Sequence, residues 1–267
     1  MRLFTPLVPD PRAPLPRANP VAKLAAGSVL LVALFASLDG VTAGIVLAAL
    51  LAVLPFSGLS AWDLLGRSWL VGLAAISIGV FNVLFAAEQL GPTVVALGPV
   101  RIGAETLANG LGLALRLLGV VLAGLLATAT TPPTALADSL VQQLRVSPRF
   151  AIGALAAFRL MPLLAHEWQT LAMARRARGV EAGRSPLAAV RLFAGQMLAL
   201  LVGAIRRGTR MALAMEARGF GAMPCRTAAR VHVVRAGDWA WIGGAVLLAA
   251  AAIGVSVALG TWRPLIG

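Results

Sequence analysis

Long apolar runs, separated by short polar or glycine- and proline-rich breaks, are the dominant pattern of this sequence. An α-helix needs about 20 apolar residues to cross the hydrocarbon layer of a membrane. Five runs approach that length, at about residues 21–38, 41–56, 69–87, 107–127 and 239–259. The pattern therefore predicts an all-α integral membrane protein with about five transmembrane helices.

The breaks between the runs predict how the helices connect. Asp39-Gly40 is a turn dipeptide between the first two runs, and a loop around Trp62 precedes the third. Segment 88–106 holds Gly-Pro turns around short β-branched stretches, which is typical of a small β-hairpin. The spacing of Gly40 and Gly44 favours close helix packing.

Residues 128–238 follow a different pattern. An apolar stripe from Leu136 to Leu144, after a Thr-Pro-Pro start, predicts a short amphipathic helix. Two longer segments, 148–178 and 186–218, each follow a serine N-cap, have proline in the first turn and end in Ala-Arg-Gly. We expect three helices here, two of them long.

The two long segments have two competing placements. Both are too apolar to stand alone in water, yet arginines such as Arg159 and Arg191 interrupt any clean membrane span. We predict that they pack on one another at the cytoplasmic membrane face, with a kink at Pro162. The alternative makes them two further transmembrane helices.

Composition and charge predict how the chain is oriented in the membrane. The chain is 59% hydrophobic and 12% charged, whereas a soluble domain has about 25% charged residues. Of the net charge of +13, residues 131–237 carry +11, from fifteen arginines and four acidic residues. The positive-inside rule predicts that this block is cytoplasmic. Counting spans, the basic arm 1–20 is then cytoplasmic and the C-terminus external.

Several classes of function are disfavoured. The basic residues lie between apolar runs and the chain has no tyrosine, so we expect no nucleic-acid partner. A single cysteine, Cys225, permits no internal disulfide, and Thr170 replaces the second histidine of the zinc motif that His166-Glu167 would begin. Without a nucleophile motif or a phosphate loop, we expect a non-catalytic protein with no cofactor and no metal site.

The paired Ala-Arg-Gly endings are the most informative motif. An arginine in the last turn of a helix interacts favourably with the helix dipole, by about 0.3–1 kcal/mol, and the following glycine caps the end. One such ending needs no function. Two matched endings would present two planar guanidinium groups, which suit acidic pockets on a soluble partner.

In its flanking sequence, the pair resembles the signature of a transporter family. "NPVAKL", "TTPPTALADSL", "RLMPLLAHEWQTLAMARRARG" and "RRGTRMALAMEARGF" are similar to segments of the T component of energy-coupling factor (ECF) transporters, the EcfT/CbiQ/BioN family. The resemblance covers roughly residues 18–260. It implies a scaffold subunit of an ATP-driven importer in the plasma membrane of a prokaryote, for vitamin or transition-metal uptake.

The resemblance also implies partners and site residues. Two ABC-type ATPase subunits would dock on the cytoplasmic helices, and a membrane S component would bind the substrate. The docking residues would be Ala177, Arg178, Gly179, Ala217, Arg218 and Gly219. Arg175 and Arg176 could share the docking site or contact anionic lipid, and Arg116, inside the fourth span, could pair within the bundle or contact the S component.

On this interpretation the chain has four parts. Residues 1–20 form the N-terminal arm, 21–127 the first four transmembrane helices, 128–238 the cytoplasmic coupling domain, and 239–267 the last transmembrane helix with its external end. A conventional ABC-transporter permease subunit and a scaffold that binds anionic lipid are the alternative functions. The transported substrate is left open, as is whether the two ATPases are identical.

Overall fold

A computed structural model describes residues 13–86, 91–97, 100–183, 185–220 and 230–262. Its elements are short α1 Pro14–Arg17, α2 Pro20–Ala36, α3 Gly40–Val53 with a 3₁₀ turn at Leu54–Ser57, α4 Ala61–Leu84, β1 Thr93–Leu97, β2 Val100–Gly103, α5 Ala104–Ala129, α6 Pro133–Gln143, α7 Pro148–Ala177, α8 Pro186–Ala217 and α9 Ala236–Ala258. The all-α prediction is confirmed. The described residues form two compact units, one from those within 1–143 and 232–267 and the other from those within 144–231.

The first unit is a helix bundle. Helix α2 packs on α9, α5 and α3, and α3 packs on α5 and α9. Leu34, Val46 and Ala252 are completely buried where these helices meet. The predicted hairpin is confirmed, because β1 and β2 pair antiparallel with Leu97 opposite Val100.

Glycines set the spacing of α5 from its neighbours. A Cβ on Gly40 would lie 3.2 Å from the Cα of Gly112, and one on Gly79 would lie 2.8 Å from the carbonyl oxygen of Gly110. Helices approach closely where such small residues face each other. The predicted packing role of Gly40 is confirmed, and its facing residue lies on α5.

Among the described residues, the five helices that are long and apolar enough to span a membrane are not the same five that the sequence predicted. Five stretches are long and apolar enough to cross a membrane within the described chain: Gly40–Ser57, Ala104–Ala129, Pro148–Ala177, Pro186–Ala217 and Ala236–Ala258. Helix α2 and the Trp69–Leu84 part of α4 are shorter apolar helices. By length and composition, α7 and α8 therefore qualify as spans, which keeps the alternative topology open.

One predicted loop was wrong. The loop expected around Trp62 is the start of α4, because the helix begins at Ala61 directly after Ser60, which occupies the N-cap position. The N-terminal arm is described only from residue 13, and there Leu15 is buried in the short helix α1. Helix α6 lies in the first unit, where it contacts α2. The side of the membrane on which 128–238 lies stays a prediction, as does the kink at Pro162.

Candidate functional site

The first Ala-Arg-Gly ending closes α7 with a Schellman motif. Arg178 is the C-cap, and Gly179 follows with φ +73°. The amide of Gly179 donates to the carbonyl of Arg176 at 2.9 Å, and that of Val180 donates to the carbonyl of Arg175 at 3.0 Å. These bonds satisfy carbonyls that the last helical turn would otherwise leave free.

The second ending repeats the first. Arg218 caps α8, and Gly219 has φ +77°. The amides of Gly219 and Phe220 donate to the carbonyls of Glu216 and Met215 at 2.9 Å and 3.0 Å. A Cβ on either glycine would meet nothing within 4 Å. Glycine is therefore required at these ends for its left-handed backbone, and the surrounding space imposes no limit on its size.

The predicted docking residues are all at the surface of these two ends. Exposed residues are Ala177, Arg178, Gly179, Ala217, Arg218, Gly219 and also Arg176. Within the described part of the chain, the guanidinium groups of Arg178 and Arg218 have no hydrogen-bond or ion-pair partner. Each guanidinium can therefore donate hydrogen bonds from its planar set of N–H groups to a carboxylate or to an anionic headgroup.

Arg175 is placed differently from the other motif arginines. Its guanidinium donates to the backbone carbonyl of Leu192 on α8 at 2.8 Å and lies against Gly195. The side chain is only partly exposed. Its contact therefore joins α7 to α8, and sequence reasoning missed it because nothing in the sequence marks a backbone acceptor on a distant helix.

Helices α7 and α8 run antiparallel. Arg175, near the end of α7, meets Leu192 near the start of α8. At the opposite end, a groove lies between the 149–160 part of α7 and the 208–220 part of α8. The Arg178 and Arg218 tips consequently lie at opposite ends of the pair, separated by roughly the 45 Å length of one helix.

Two further contacts hold the pair together. Arg207 Nη2 of α8 donates to both carboxylate oxygens of Glu167 of α7, which makes a salt bridge. Trp168 and Phe193 pack edge to face with ring centroids 5.3 Å apart. In the sequence, Glu167 stands out only as part of an incomplete zinc motif. The scarcity of acidic residues in this arginine-rich segment is the signal that it has an arginine partner.

Arg116 lies inside the bundle with 8% of its surface exposed. It donates a hydrogen bond to the carbonyl of Ser37 at the end of α2, and its Nε is buried without a partner. The carboxylate of Asp39 accepts bonds from Ser37 Oγ, from the Thr42 amide at 2.7 Å and from Ser256 Oγ at 2.7 Å. This polar cluster connects the α2–α3 turn with α5 and α9.

A second buried cluster joins the other ends of the same helices. Lys23, the single lysine of the chain, donates to the carbonyl of Thr130 at the end of α5 at 2.8 Å. Asp238 accepts from the amides of Asn19 and Arg235, each at 2.7 Å. Sequence reasoning missed this cluster, although a lone lysine at the start of an apolar run was a usable signal.

The described residues contain no group of three or more His, Cys, Asp or Glu side chains placed to hold a metal ion. Cys225 lies outside the described residues.

Comparison with known proteins identifies the family. A family model described as CbiQ, cobalt transport protein, matches residues 11–228. The chain belongs to this family. The CbiQ match includes both Ala-Arg-Gly endings, and together with the apolar helices it makes the protein a multi-pass membrane protein of a bacterial cell membrane.

Curated relatives of this CbiQ-family chain carry one common name. The energy-coupling factor transporter transmembrane protein EcfT of Heliobacterium modesticaldum is 35% identical over 160 residues, which are 56% of this chain and 59% of the relative. That of Limosilactobacillus fermentum is 32% identical over 160 residues, covering 57% and 58%. That of Streptococcus equi subsp. equi is 26% identical over 225 residues, covering 80% and 82%. The chain thus spans less than two thirds of the first two relatives.

Proposed function

We propose that this protein is the T component of an ECF-type importer, a non-catalytic scaffold that couples ATP hydrolysis to uptake of a vitamin or a transition-metal ion. The observation that carries the proposal is the pair of identical helix ends at opposite ends of α7 and α8, each presenting an exposed arginine that has no partner among the described residues. The EcfT name of the relatives supports the same role.

The antiparallel arrangement explains why the motif occurs twice. A tip at each end of the helix pair can engage one of two ATPase subunits, with the two contacts far enough apart to reach separate proteins. Each guanidinium would make bidentate bonds to a carboxylate in an acidic groove of its ATPase. The Schellman ends fix the direction of the backbone at each tip, so that closure of the ATPases can move the helices.

Coupling needs more than attachment. The scaffold must bind the S component with different free energies when the ATPases are open and closed, because an effector can shift an equilibrium only by its differential affinity. The large apolar side chains exposed on α7 and α8, including Phe158, Met173 and Leu198, offer a surface for that membrane partner. The S component would determine the cargo.

Replacement of both motif arginines tests the proposal. Removing an arginine from a docked pair leaves its carboxylate buried and unpaired, at a cost of about 2–5 kcal/mol for each contact. We expect Arg178→Ala/Arg218→Ala to lose both ATPases on co-purification while keeping the S component, each single variant to weaken binding, and Arg→Lys to restore it only in part.

The matched control is Arg191→Ala/Arg206→Ala, which removes the same charge from exposed positions within α8. It should keep the whole complex. Co-purification of both ATPases with the double tip variant at wild-type levels would refute the docking role. A wild-type complex that contains ATPases and no S component would favour the permease alternative, and binding to anionic vesicles alone would favour the lipid scaffold.

The position of α7 and α8 at the cytoplasmic face is a separate proposal, based on the +11 charge of residues 131–237. On a Cys225→Ser background, a membrane-impermeant thiol reagent added outside should label a cysteine at 267 and spare one at 183. The reverse labelling would overturn this topology. Arg175 and Arg176 can be tested in the same complex, and from its contact with Leu192 we propose that Arg175 positions α8.

A further inference from the structure

We propose that the bundle holds one hydrocarbon chain of a membrane phospholipid in a cavity between α2, α3, α5 and α9. The cavity has a volume of about 350 Å³. Apart from Lys23 and Trp241, its lining residues are aliphatic or glycine. All of its lining residues belong to the first unit, and none is a motif residue, so the inference does not depend on the proposed transport role.

The position of the cavity along the bundle is set by its lining. It is formed by the first halves of α2 and α9 and the last parts of α3 and α5, with Gly27, Leu50, Leu126 and Gly244 among the contributors. These segments share one end of the bundle. The cavity therefore lies in the half of the bundle next to the membrane face at which α2 and α9 begin, a position accessible from one leaflet of the bilayer.

At the polar end of the cavity, the charged group of Lys23 already has partners within the protein. Lys23 Nζ donates to the Thr130 carbonyl at 2.8 Å, and the Asp238 carboxylate lies close enough to interact with its charge. Such an end neither requires a charged ligand nor offers the convergent polar groups by which a site orients a polar substrate. The remaining space is suited to an aliphatic occupant.

The surroundings determine which aliphatic occupant is present. An apolar cavity does not retain water, and an empty one loses the dispersion contacts of its walls. The bundle is immersed in lipid chains, which are at hand to fill it. If a methylene group takes up about as much room as a water molecule, about 30 Å³, the cavity accommodates roughly twelve of them. That length corresponds to much of a single phospholipid chain.

Glycines in the wall allow the cavity to be filled by mutation. A Cβ on Gly244 would meet nothing within 4 Å, and a Cβ on Gly27 would only touch Ala127 at 3.8 Å. Gly124 of α5 is an equally open glycine that does not line the cavity. Gly244→Phe and Gly27→Leu are therefore the filling variants, and Gly124→Phe is the control.

Native mass spectrometry of the protein released from mild detergent counts the phospholipids that each variant retains. We expect one phospholipid on the wild-type chain and on Gly124→Phe, and a reduction of at least tenfold in occupancy for Gly244→Phe. Gly27→Leu provides the same test if Gly244→Phe does not fold. Equal retention by all variants would overturn the proposal, as would retention of detergent or free fatty acid in place of phospholipid.

A second measurement locates the chain within the cavity. In a variant whose other tryptophans are phenylalanine, the fluorescence of Trp241 is measured in vesicles of phosphatidylcholine with brominated chains. Bromine quenches indole only at short range, so quenching should fall severalfold in Gly27→Leu and stay at the wild-type level in Gly124→Phe. Unchanged quenching in Gly27→Leu would place the lipid elsewhere and overturn the assignment.

Discussion

The helix bundle and the α7–α8 pair differ in how far their charged and apolar residues are buried. In the bundle, Lys23, Asp39, Arg116 and Asp238 are each at most 8% exposed. Only 6% of the most apolar stretch of α7 and 11% of that of α8 are buried, whereas 39% of the corresponding stretch of α5 is buried. The bundle thus pairs each of these four charged side chains within itself, although Arg116 Nε is left without a partner, whereas the pair leaves arginine tips and an apolar surface exposed.

This difference has a physical origin. Inside a membrane an unpaired charge is costly, so the bundle binds each one to a carbonyl, an amide or a hydroxyl. The exposed tips of α7 and α8 incur no such cost, and an arginine without a partner in the described part of the chain keeps its donors for a binding partner. Variants that affect one unit and spare the other therefore test the comparison.

The largest effect is expected for Arg116→Met. The substitution removes a buried charge that donates to the Ser37 carbonyl and balances Asp39. We expect a loss of about 3–5 kcal/mol in the free energy of unfolding, measured in detergent by denaturant titration.

Arg116→Met also separates the two roles predicted for this residue. A structural role lowers the stability of the isolated chain. A contact with the S component would leave that stability within about 0.5 kcal/mol of the wild type, the range of surface substitutions, and reduce S-component binding instead.

Gly110→Val tests the close approach of α4 and α5. A Cβ at this position would overlap Val83 Cγ2 and would lie 2.8 Å from the Gly79 carbonyl oxygen. We expect a destabilisation of about 3 kcal/mol in the same unfolding measurement. Gly124→Val, where no atom lies within 4 Å of the added Cβ, should have little effect; equal losses for both variants would contradict the packing argument.

Gly179→Val and Gly219→Val test the helix ends of the other unit. The positive φ of each glycine strains a β-branched residue by about 1–3 kcal/mol, which should fray the Schellman end and misdirect its arginine. Binding of the ATPases should weaken while unfolding of the bundle is unchanged. Gly153→Val, in the second turn of α7 with open space around it, is the control. Wild-type transport by both end variants would show that the caps are dispensable.

The smallest effect is expected for Glu167→Gln. The Glu167 and Arg207 side chains are 34% and 23% exposed, so solvent screens their salt bridge. Its loss should change the free energy of unfolding by at most about 1 kcal/mol, and by less at high salt. Arg207→Gln should match it, and the double variant should add little. A loss of several kcal/mol would mean that the α7–α8 pair depends on this bridge as the bundle depends on Arg116.

The sequence predicted the helix ends of α7 and α8 well because local chemistry determines them. Proline after Ser147 and Ser185 starts each helix, and glycine after Arg178 and Arg218 ends it with the expected positive φ. The start of α4 was less predictable, since polar residues near Trp62 are compatible with either a loop or a first helical turn. Helix ends with capping residues are therefore the most reliable boundaries in this chain.

By itself, the sequence determined that the chain is a helical membrane protein, where α7 and α8 begin and end, and which two arginines stand at their tips. Those properties depend on hydrophobic length, capping chemistry and charge, which are local. Only the tertiary structure decided that Arg175 binds the Leu192 carbonyl, that Lys23 closes the end of α5, and that the two tips lie at opposite ends of an antiparallel pair. These arrangements join residues far apart in the chain, and helix packing alone brings them together.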